Sequence, residues 1–350
     1  MVHQNTPVAT DTDRMTPKLD CLPVSAAPVF ILGMHRSGTT ILYEMIHALG
    51  GWKSLQAWQV AQFSQLAAGA DPSELKRTFA DQLNAAGLKT RGVDAIKAGP
   101  DTMEEYCFVL DNHGFGNRLT PKSMPLFEQL CGQIQTTEAG NGRLLLKNPW
   151  DFGNAHVIQQ LIPNARFVFI HRHPQQTINS MYRFLQQALQ QPNVWMQMLS
   201  LRYRELTESR WKFALAGGFV HRFPTAFVDT LTWWFGRQCN AFLNSVARVP
   251  RSARIEITYD QLCDTPNETM SRIHRFLQRG AESDASDRLP VDFRTMISRR
   301  AGRSDAAVEA RSTRIERRMQ RYLRRMEEVS NAGNSMEQPT GSASVSSARR

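Results

Sequence analysis

The sequence predicts an α/β protein built on a parallel sheet with helices on both faces, and three observations support that prediction. First, four short strand-like runs alternate with longer segments of helical periodicity; the runs span residues 27–32, 143–147, 166–171 and 254–258. Second, the first three runs are apolar at successive positions, which suits strands buried on both faces. Third, residues 52 to about 140 show helical patterns broken by prolines and glycines, which predicts a helical insertion between the first two strands.

Apolar residues at helical spacing predict the helices that connect these strands. They cover residues 41–49, 103–112, 151–162, 174 to about 190, 227–249, 266 to about 277 and 305–329. The first helix ends at Gly50-Gly51, which is a C-cap signal. Two others begin with a proline, Pro174 and Pro266, which is favoured in the first turn of a helix.

Composition changes along the chain predict its organisation. Residues 1–27 are polar and lack periodicity, so we expect a flexible leader. Residues 28–290 hold the strand and helix patterns and are expected to form one domain. Residues 291–330 form a basic helical segment, and residues 331–350, rich in Ser, Gly, Ala and Asn, are expected to be a disordered tail.

Length and composition exclude several classes of protein. A chain of 350 residues with 41% hydrophobic residues can bury a substantial core, so global disorder is excluded. No run approaches the roughly 18 apolar residues that a membrane span needs, and the first twenty residues lack the apolar core of a signal peptide. The five widely spaced cysteines, with no C-x-x-C, do not indicate disulfides or a zinc site. We therefore expect a cytoplasmic protein.

The net charge of +10 is concentrated at one end of the chain. Residues 294–350 contain 13 Arg, no Lys and 6 acidic residues, a local balance of +7. The rest of the chain is close to neutral, so no nucleic-acid-binding surface is indicated. The solvated face of a helix explains such a segment. The alternatives are attraction of an anionic acceptor and peripheral contact with a membrane surface.

A glycine-bounded loop, Gly33–Gly38, joins the first strand to the first helix. Backbone N–H groups of such a loop and of the helix N-terminus bind anions, and glycine lets the backbone approach them closely. A triphosphate-hydrolysing loop continues with a lysine, but here that position is Thr39, and the basic residue is Arg36 inside the loop. The loop therefore suits a shorter anionic chain than a triphosphate.

Two further signals follow other strands. Arg172 comes directly after the third strand, and Ser180 lies eight residues later in the next helix, so both can converge on an additional phosphate. Lys147 closes the second strand. Parallel sheets place ligands beyond the carboxyl ends of their strands, and all of these residues lie there.

These motifs resemble those of sulfotransferases that use 3′-phosphoadenosine-5′-phosphosulfate (PAPS). PVFILGMHRSGTTIL resembles their 5′-phosphosulfate loop, and RFVFIHRHPQQTINSMY resembles their 3′-phosphate motif. Prokaryotic-type and tyrosylprotein sulfotransferases show a similar order of elements: a strand, Lys-x-Pro, a helix and then a segment like PNARFVFIHRHP. ITYDQLCDTPNETMSRIHRFL resembles a later family segment, so the resemblance covers residues 28 to about 278.

The resemblance implies a P-loop-type fold and specific binding roles. The residues expected to hold the 5′-phosphosulfate are Arg36, Ser37, Gly38, Thr39 and Thr40. Arg172 and Ser180 would hold the 3′-phosphate, and Lys147 would face the transferred sulfuryl group, with Arg36 assisting. A late basic loop often completes the 3′-phosphate pocket in this family, for which Arg299, Arg300 and Arg303 are loose candidates.

The sequence does not identify the general base. Cytosolic enzymes of this family carry a catalytic His in a Lys-Thr-His run, but the corresponding run here is Lys147-Asn148-Pro149. Glu104 and Glu105 are the first candidates, since their run resembles a Pro-Glu-Glu run of related enzymes, although acids are also favoured at a helix start. His35, inside the loop, is the second choice.

The sequence pattern around one further histidine and an aromatic run indicates that these residues pack in the interior. His171 follows a buried strand, which is typical of an interior histidine. The run Trp233-Trp234-Phe235 favours core packing, although one ring could line an acceptor pocket or stack on adenine.

The expected function is transfer of a sulfuryl group from PAPS to a hydroxyl or amine, without a metal. Carbohydrate, peptide, lipid and small-molecule acceptors all remain open. The alternatives are a P-loop kinase or nucleotidase, which the missing lysine disfavours, and a non-catalytic nucleotide-binding protein.

Overall fold

The computed structural model describes residues 26–92, 96–138, 140–279, 289–297 and 304–335. Within them the strands are β1 (Val29–Gly33), β2 (Trp52–Ser54), β3 (Arg143–Lys147), β4 (Arg166–His171) and β5 (Arg254–Thr258). The helices up to β3 are α1 (Thr39–His47), α2 (Ala57–Ala61), α3 (Phe63–Ala67), α4 (Pro72–Ala85), α5 (Cys107–Asn112) and α6 (Met124–Thr137). Those between β3 and β5 are α7 (Ala155–Leu161), α8 (Pro174–Ala188), α9 (Val194–Leu199), α10 (Leu201–Glu208), α11 (Arg210–Arg222) and α12 (Pro224–Val246). After β5 come α13 (Tyr259–Asp264), α14 (Pro266–Gln278), α15 (Ala306–Glu309) and α16 (Ser312–Ser335).

The strands form one parallel sheet in the order β2-β3-β1-β4-β5. In the register, Ile31 of β1 is level with Lys147 of β3 on one side and Val168 of β4 on the other. All the carboxyl ends therefore lie at one edge of the sheet. This confirms the predicted parallel α/β fold, and helices α2–α6 between β2 and β3 supply the predicted helical insertion.

The sheet separates two apolar cores, and alternate residues of each central strand face opposite cores. Phe30 and Leu146 belong to the larger core, whereas Val29 and Leu145 belong to the smaller one. Because both faces are covered, successive positions are apolar, which is the pattern the sequence shows.

The sequence prediction missed β2 and helices α9–α11, and it placed the beginnings of two helices too early. Strand β2 has three residues, lies at the sheet edge and is not apolar throughout, so no hydrophobic pattern in the sequence predicts it. The helix predicted over 103–112 begins only at Cys107, because Met103 pairs with Gln56 in an antiparallel bridge. Glu104 and Glu105 therefore lie before α5, not in its first turn.

The helix predicted over 151–162 also begins late. A 3₁₀ turn, Pro149–Gly153, precedes α7. The buried Asp151 carboxylate accepts hydrogen bonds from Tyr106 Oη at 2.5 Å and from the side-chain amides of Asn148 and Asn154. These bonds fix the chain directly after Lys147.

The Arg-rich C-terminal segment packs against the main body of the protein. Its buried side chains recur at helical spacing; they are Ile315, Met319, Tyr322, Met326 and Val329 of α16. Tyr322 Oη lies 3.0 Å from His171 Nδ1 in the interior, as expected for His171. Helix α16 continues to Ser335, into the stretch predicted to be disordered. Residues 1–25 and 336–350 of the predicted leader and tail lie outside the described residues.

An ion pair ties α16 to β5. Arg325 Nη2 lies 2.6 Å from Glu256 Oε1, and Glu256 Oε2 lies 3.3 Å from His171 Nε2. Burial raises the pKa of Glu256, but contacts with His171 and Arg325 outweigh burial and lower the pKa to about 2.

Replacing Glu256 by glutamine should lower stability and weaken its dependence on pH. The carboxylate's contribution is complete above its ordinary pKa of 4.5 and is lost as the pH falls toward about 2. At neutral pH we expect Glu256→Gln to be less stable by about 1–3 kcal/mol. On acidification its free energy of unfolding, measured with urea, should fall by less than that of the parent.

Glu328→Gln is the control: it removes an exposed partner of the same Arg325 and should lower the free energy of unfolding by less than about 1 kcal/mol. Parallel pH profiles for Glu256→Gln and the parent would contradict the assignment.

Candidate active site

The glycine-bounded loop, Gly33–Gly38, turns through two residues in the left-handed region of backbone conformation. Arg36 and Gly38 both have positive φ, 67° and 103°. Helix α1 begins at Thr39 with no side-chain cap and no acidic residue in its first turn. Its first N–H groups therefore remain available to an anion beside the loop. Ser37 Oγ is also buried without a hydrogen-bond partner among the described residues.

Lys147 brings a buried positive charge to this loop from β3. Its side chain is 1% exposed, and Nζ donates a hydrogen bond to Thr40 Oγ1 at 3.1 Å. Nζ also lies 3.4 Å from Glu105 Oε1 and 5.6 Å from the centre of the Tyr43 ring. The lysine is therefore held between the start of α1 and one of the predicted bases.

Glu104 and Glu105 are adjacent in sequence but have different partners. Glu104 Oε1 accepts from Arg91 Nη1 at 2.9 Å and from Trp195 Nε1 at 3.1 Å, and its side chain is 3% exposed. Glu104 therefore ties together three separate segments. Glu105 instead faces Lys147.

Their surroundings also shift the two pKa values in opposite directions. Burial raises the pKa of Glu104 and outweighs the effects of Arg91 and Lys147, which lower it. Burial acts the same way on Glu105, but Lys147 and His35 outweigh it, so the pKa of Glu105 lies below its ordinary value. Glu105 is therefore a carboxylate at neutral pH.

The residues predicted for a 3′-phosphate lie directly beside the loop. Arg36 Nε donates to Ser180 Oγ at 3.3 Å, and Arg172 Nη1 donates to the backbone oxygen of Arg36 at 3.1 Å. Tyr259 holds the Arg172 guanidinium over its ring, 4.4 Å from the ring centre. Sequence analysis placed Tyr259 in a family-like segment but gave it no role. Its position directly after β5 is the signal that could have singled it out.

His35 lies against two tryptophans. Its ring centre is 4.7 Å from that of Trp150 and 5.7 Å from that of Trp234. Its Nε2 is buried without a hydrogen-bond partner among the described residues. Burial lowers the pKa of His35 to about 4, which outweighs the opposing effect of Glu105, so the imidazole is neutral at neutral pH.

The predicted aromatic run divides among three environments. Trp234 contacts His35, Phe235 is in the core, and Trp233 is 52% exposed with Arg237 over its ring. Only Trp234 therefore lies beside the loop.

The C-terminal segment reaches the helix that carries Ser180, since the Asp305 N–H donates to Asn179 Oδ1 at 2.9 Å. Arg299, Arg300 and Arg303 lie outside the described residues. Within the ranges that are described, no group of three or more His, Cys, Asp or Glu side chains could hold a metal ion.

A sequence model of the sulfotransferase family matches residues 28–222, more than half of the chain. The chain belongs to this family. No curated protein matches this sulfotransferase. In the described part of the chain, no helix is both long enough and apolar enough to cross a bilayer.

Solved structures that resemble it are bacterial sulfotransferases. STF9 from Mycobacterium avium is 17% identical, with 88% of this chain and 78% of that one covered and a TM-score of 0.49. STF1 from Mycobacterium tuberculosis H37Rv is 14% identical, with coverages of 83% and 76% and a TM-score of 0.49. A sulfotransferase from Alicyclobacillus acidocaldarius is 12% identical, with coverages of 88% and 99% and a TM-score of 0.41.

Replacing Gly38 by alanine should distort the loop and the position of Tyr259. A Cβ at Gly38 would lie 2.6 Å from Cδ2 of Tyr259, in addition to the strain of a φ of 103°. We expect a loss of stability of about 1–3 kcal/mol from the strain alone, and more from the clash, measured by thermal and chemical denaturation. Gly50→Ala is the matched control, because Gly50 has a φ of 81° but nothing within 4 Å of the added Cβ. Equal losses in the two variants would show that the Tyr259 contact is unimportant.

Proposed function

We propose that this sulfotransferase takes its sulfuryl group from PAPS and transfers it to a hydroxyl or amine of an acceptor. The observation that carries the proposal is the position of Lys147. A buried lysine contacts both Thr40, at the anion-binding end of α1, and Glu105, a carboxylate that can accept a proton. Sulfuryl transfer requires a positive charge that stabilises the leaving group and a nearby base that accepts the acceptor's proton.

The loop residues fit the anionic end of such a donor. The backbone bends at Arg36 and Gly38, and the unpartnered Ser37 Oγ offers a further hydrogen bond. Arg172 and Ser180 are both hydrogen-bonded to Arg36, and together they fit an additional phosphate. We assign the 5′-phosphosulfate to residues 36–40 and the 3′-phosphate to Arg172 and Ser180.

The donor, when bound, supplies a sulfuryl group on a phosphate that leaves with increased negative charge. Lys147 and Arg36 stabilise that charge by electrostatics, the contribution that is usually largest in such sites. Glu105 accepts the acceptor's proton, for which its low pKa keeps it ionised at neutral pH. Trp150 and Trp234 pack against the neighbouring His35 and hold its ring beside the loop.

The donor assignment predicts a preference for two separate phosphates. Adenosine 3′,5′-bisphosphate should bind more tightly than AMP or ATP by about tenfold to a hundredfold, the value of one charged hydrogen bond. Arg172→Ala should remove most of that difference and raise the donor KM more than it lowers kcat. Calorimetric titration measures the affinities. Arg248→Ala, exposed beyond the end of α12, is the control and should bind like the parent. Equal affinity for AMP and the bisphosphate would contradict the 3′-phosphate assignment.

The base assignment predicts different defects in two matched variants. Glu105→Gln should lower kcat by about 10²–10⁴, the usual contribution of a general base, and leave bisphosphate affinity unchanged. Glu104→Gln should instead lower the melting temperature, because that carboxylate bonds to Arg91 and Trp195. The parent's rate should fall at pH values below the ordinary glutamate pKa of 4.5 as Glu105 becomes protonated, and Glu105→Gln should lack this fall.

A loss of turnover in Glu104→Gln alone would reverse the two roles. If both variants turn over like the parent, the base is neither glutamate, and His35→Ala becomes the decisive variant. The acceptor for these assays comes from transfer of labelled sulfate from PAPS to pooled carbohydrates, peptides, lipids and small hydroxylated molecules. Mg²⁺-dependent transfer of phosphate from ATP, with no sulfate transfer, would overturn the proposal in favour of a kinase.

A further inference from the structure

Helix α11 presents large apolar side chains to solvent. Trp211 and Leu215 are each 68% exposed and Phe219 is 42% exposed, and Phe223, which directly follows the helix, is 52% exposed. The four-residue spacing of Trp211, Leu215 and Phe219 places them along one face of the helix, and we call these three side chains together with Phe223 the outer stripe of α11. A surface helix normally turns its apolar face toward the core, so an exposed stripe of this size indicates a contact with something else.

Packing against the rest of the protein holds the outer stripe in this position. Gly217 lies against the backbone oxygen of Leu189, so closely that a Cβ there would be 2.7 Å from it. Val220 is buried, and the helix also packs against α12. The helix is therefore fixed on α8 and α12 by its inner side, and the stripe faces outward.

Basic residues lie at both ends of this helix. Arg210 and Lys212 flank Trp211, and His221 and Arg222 precede Phe223, whereas residues 210–223 contain no aspartate or glutamate. Lys212 Nζ lies 5.7 Å from the centre of the Trp211 ring. The surface is thus apolar in the middle, positively charged at its ends and without negative charge on the helix itself.

This charge distribution distinguishes between possible partners. In a symmetric dimer the same patch meets itself, so the basic ends of the helix would face basic ends of a second copy. An anionic lipid surface instead complements the charges and takes up tryptophan and phenylalanine side chains at the level of its headgroups. We propose that α11 rests on an anionic membrane surface with the outer stripe of α11 among the lipids. This proposal does not depend on the identity of the sulfuryl donor.

The C-terminal helix is the other basic surface, and the structure gives it a different character. The apolar side of α16 is buried in the core, including Ile315 and Met326. Its exposed side carries charged and polar side chains, among them Arg317, Arg321 and Arg324. It lacks the outward apolar face that inserts a helix into a lipid interface.

Vesicle binding by the full chain tests the proposal. The protein should co-sediment with vesicles of equimolar phosphatidylcholine and phosphatidylglycerol, and much less with phosphatidylcholine alone. Trp211→Ser with Leu215→Ser should weaken this partitioning at least about tenfold, because two large apolar side chains no longer enter the lipid. Raised salt should weaken binding of the parent, since the basic ends act through screened charges.

Arg317→Gln with Arg321→Gln on α16 is the matched control and should retain at least half of the parent's binding. Circular dichroism and thermal melting show whether each variant is folded. Absence of binding to the anionic vesicles would overturn the proposal, as would a serine variant that is folded and binds like the parent. A parent dimer in analytical ultracentrifugation that the serine substitutions dissociate would assign the outer stripe of α11 to a second copy instead. Loss of binding only in the α16 variant would transfer the contact to that helix.

Discussion

The parallel register of the three central strands is the constraint on which the site depends. Strand β1 lies between β3 and β4, so Ile31 is level with Lys147 and Val168. The chain therefore leaves all three strands at one edge, where the glycine-bounded loop, Lys147 and Arg172 meet. A slip of β3 by one residue would turn Lys147 toward the opposite core, because side chains alternate along a strand.

The burial of Lys147 determines the electrostatics of its neighbours. An ammonium group with 1% exposure needs a negative partner and hydrogen-bond acceptors, and Glu105 and Thr40 supply them. The same pairing lowers the pKa of Glu105 against the effect of burial. Glu104, its neighbour in sequence, is turned the other way and stabilises Arg91. Two adjacent residues thus place one carboxylate at the site and the other in the surrounding scaffold.

Helices α11 and α16 show that a similar content of basic residues leads to different surfaces. In α16 the apolar residues share one side and are buried, so the arginines occupy the outer side. In α11 Gly217 and Val220 face the neighbouring elements, whereas Trp211 and Leu215 face solvent. Periodicity predicts that a helix is amphipathic, but the packing of its neighbours decides which side is covered.

The sequence by itself determined the α/β fold, the glycine-bounded loop and the limits of β3, β4 and β5, because these follow from local periodicity and from glycine spacing. It also singled out Lys147 and Arg172 through the rule that ligands lie beyond strand ends. The tertiary structure alone decided the edge strand β2 and the different environments of Glu104 and Glu105. The reason is that their conformations depend on partners elsewhere in the chain: β2 pairs with β3, Met103 with Gln56, and Glu104 with Trp195. Pairings between such separate segments leave no periodic pattern in either one.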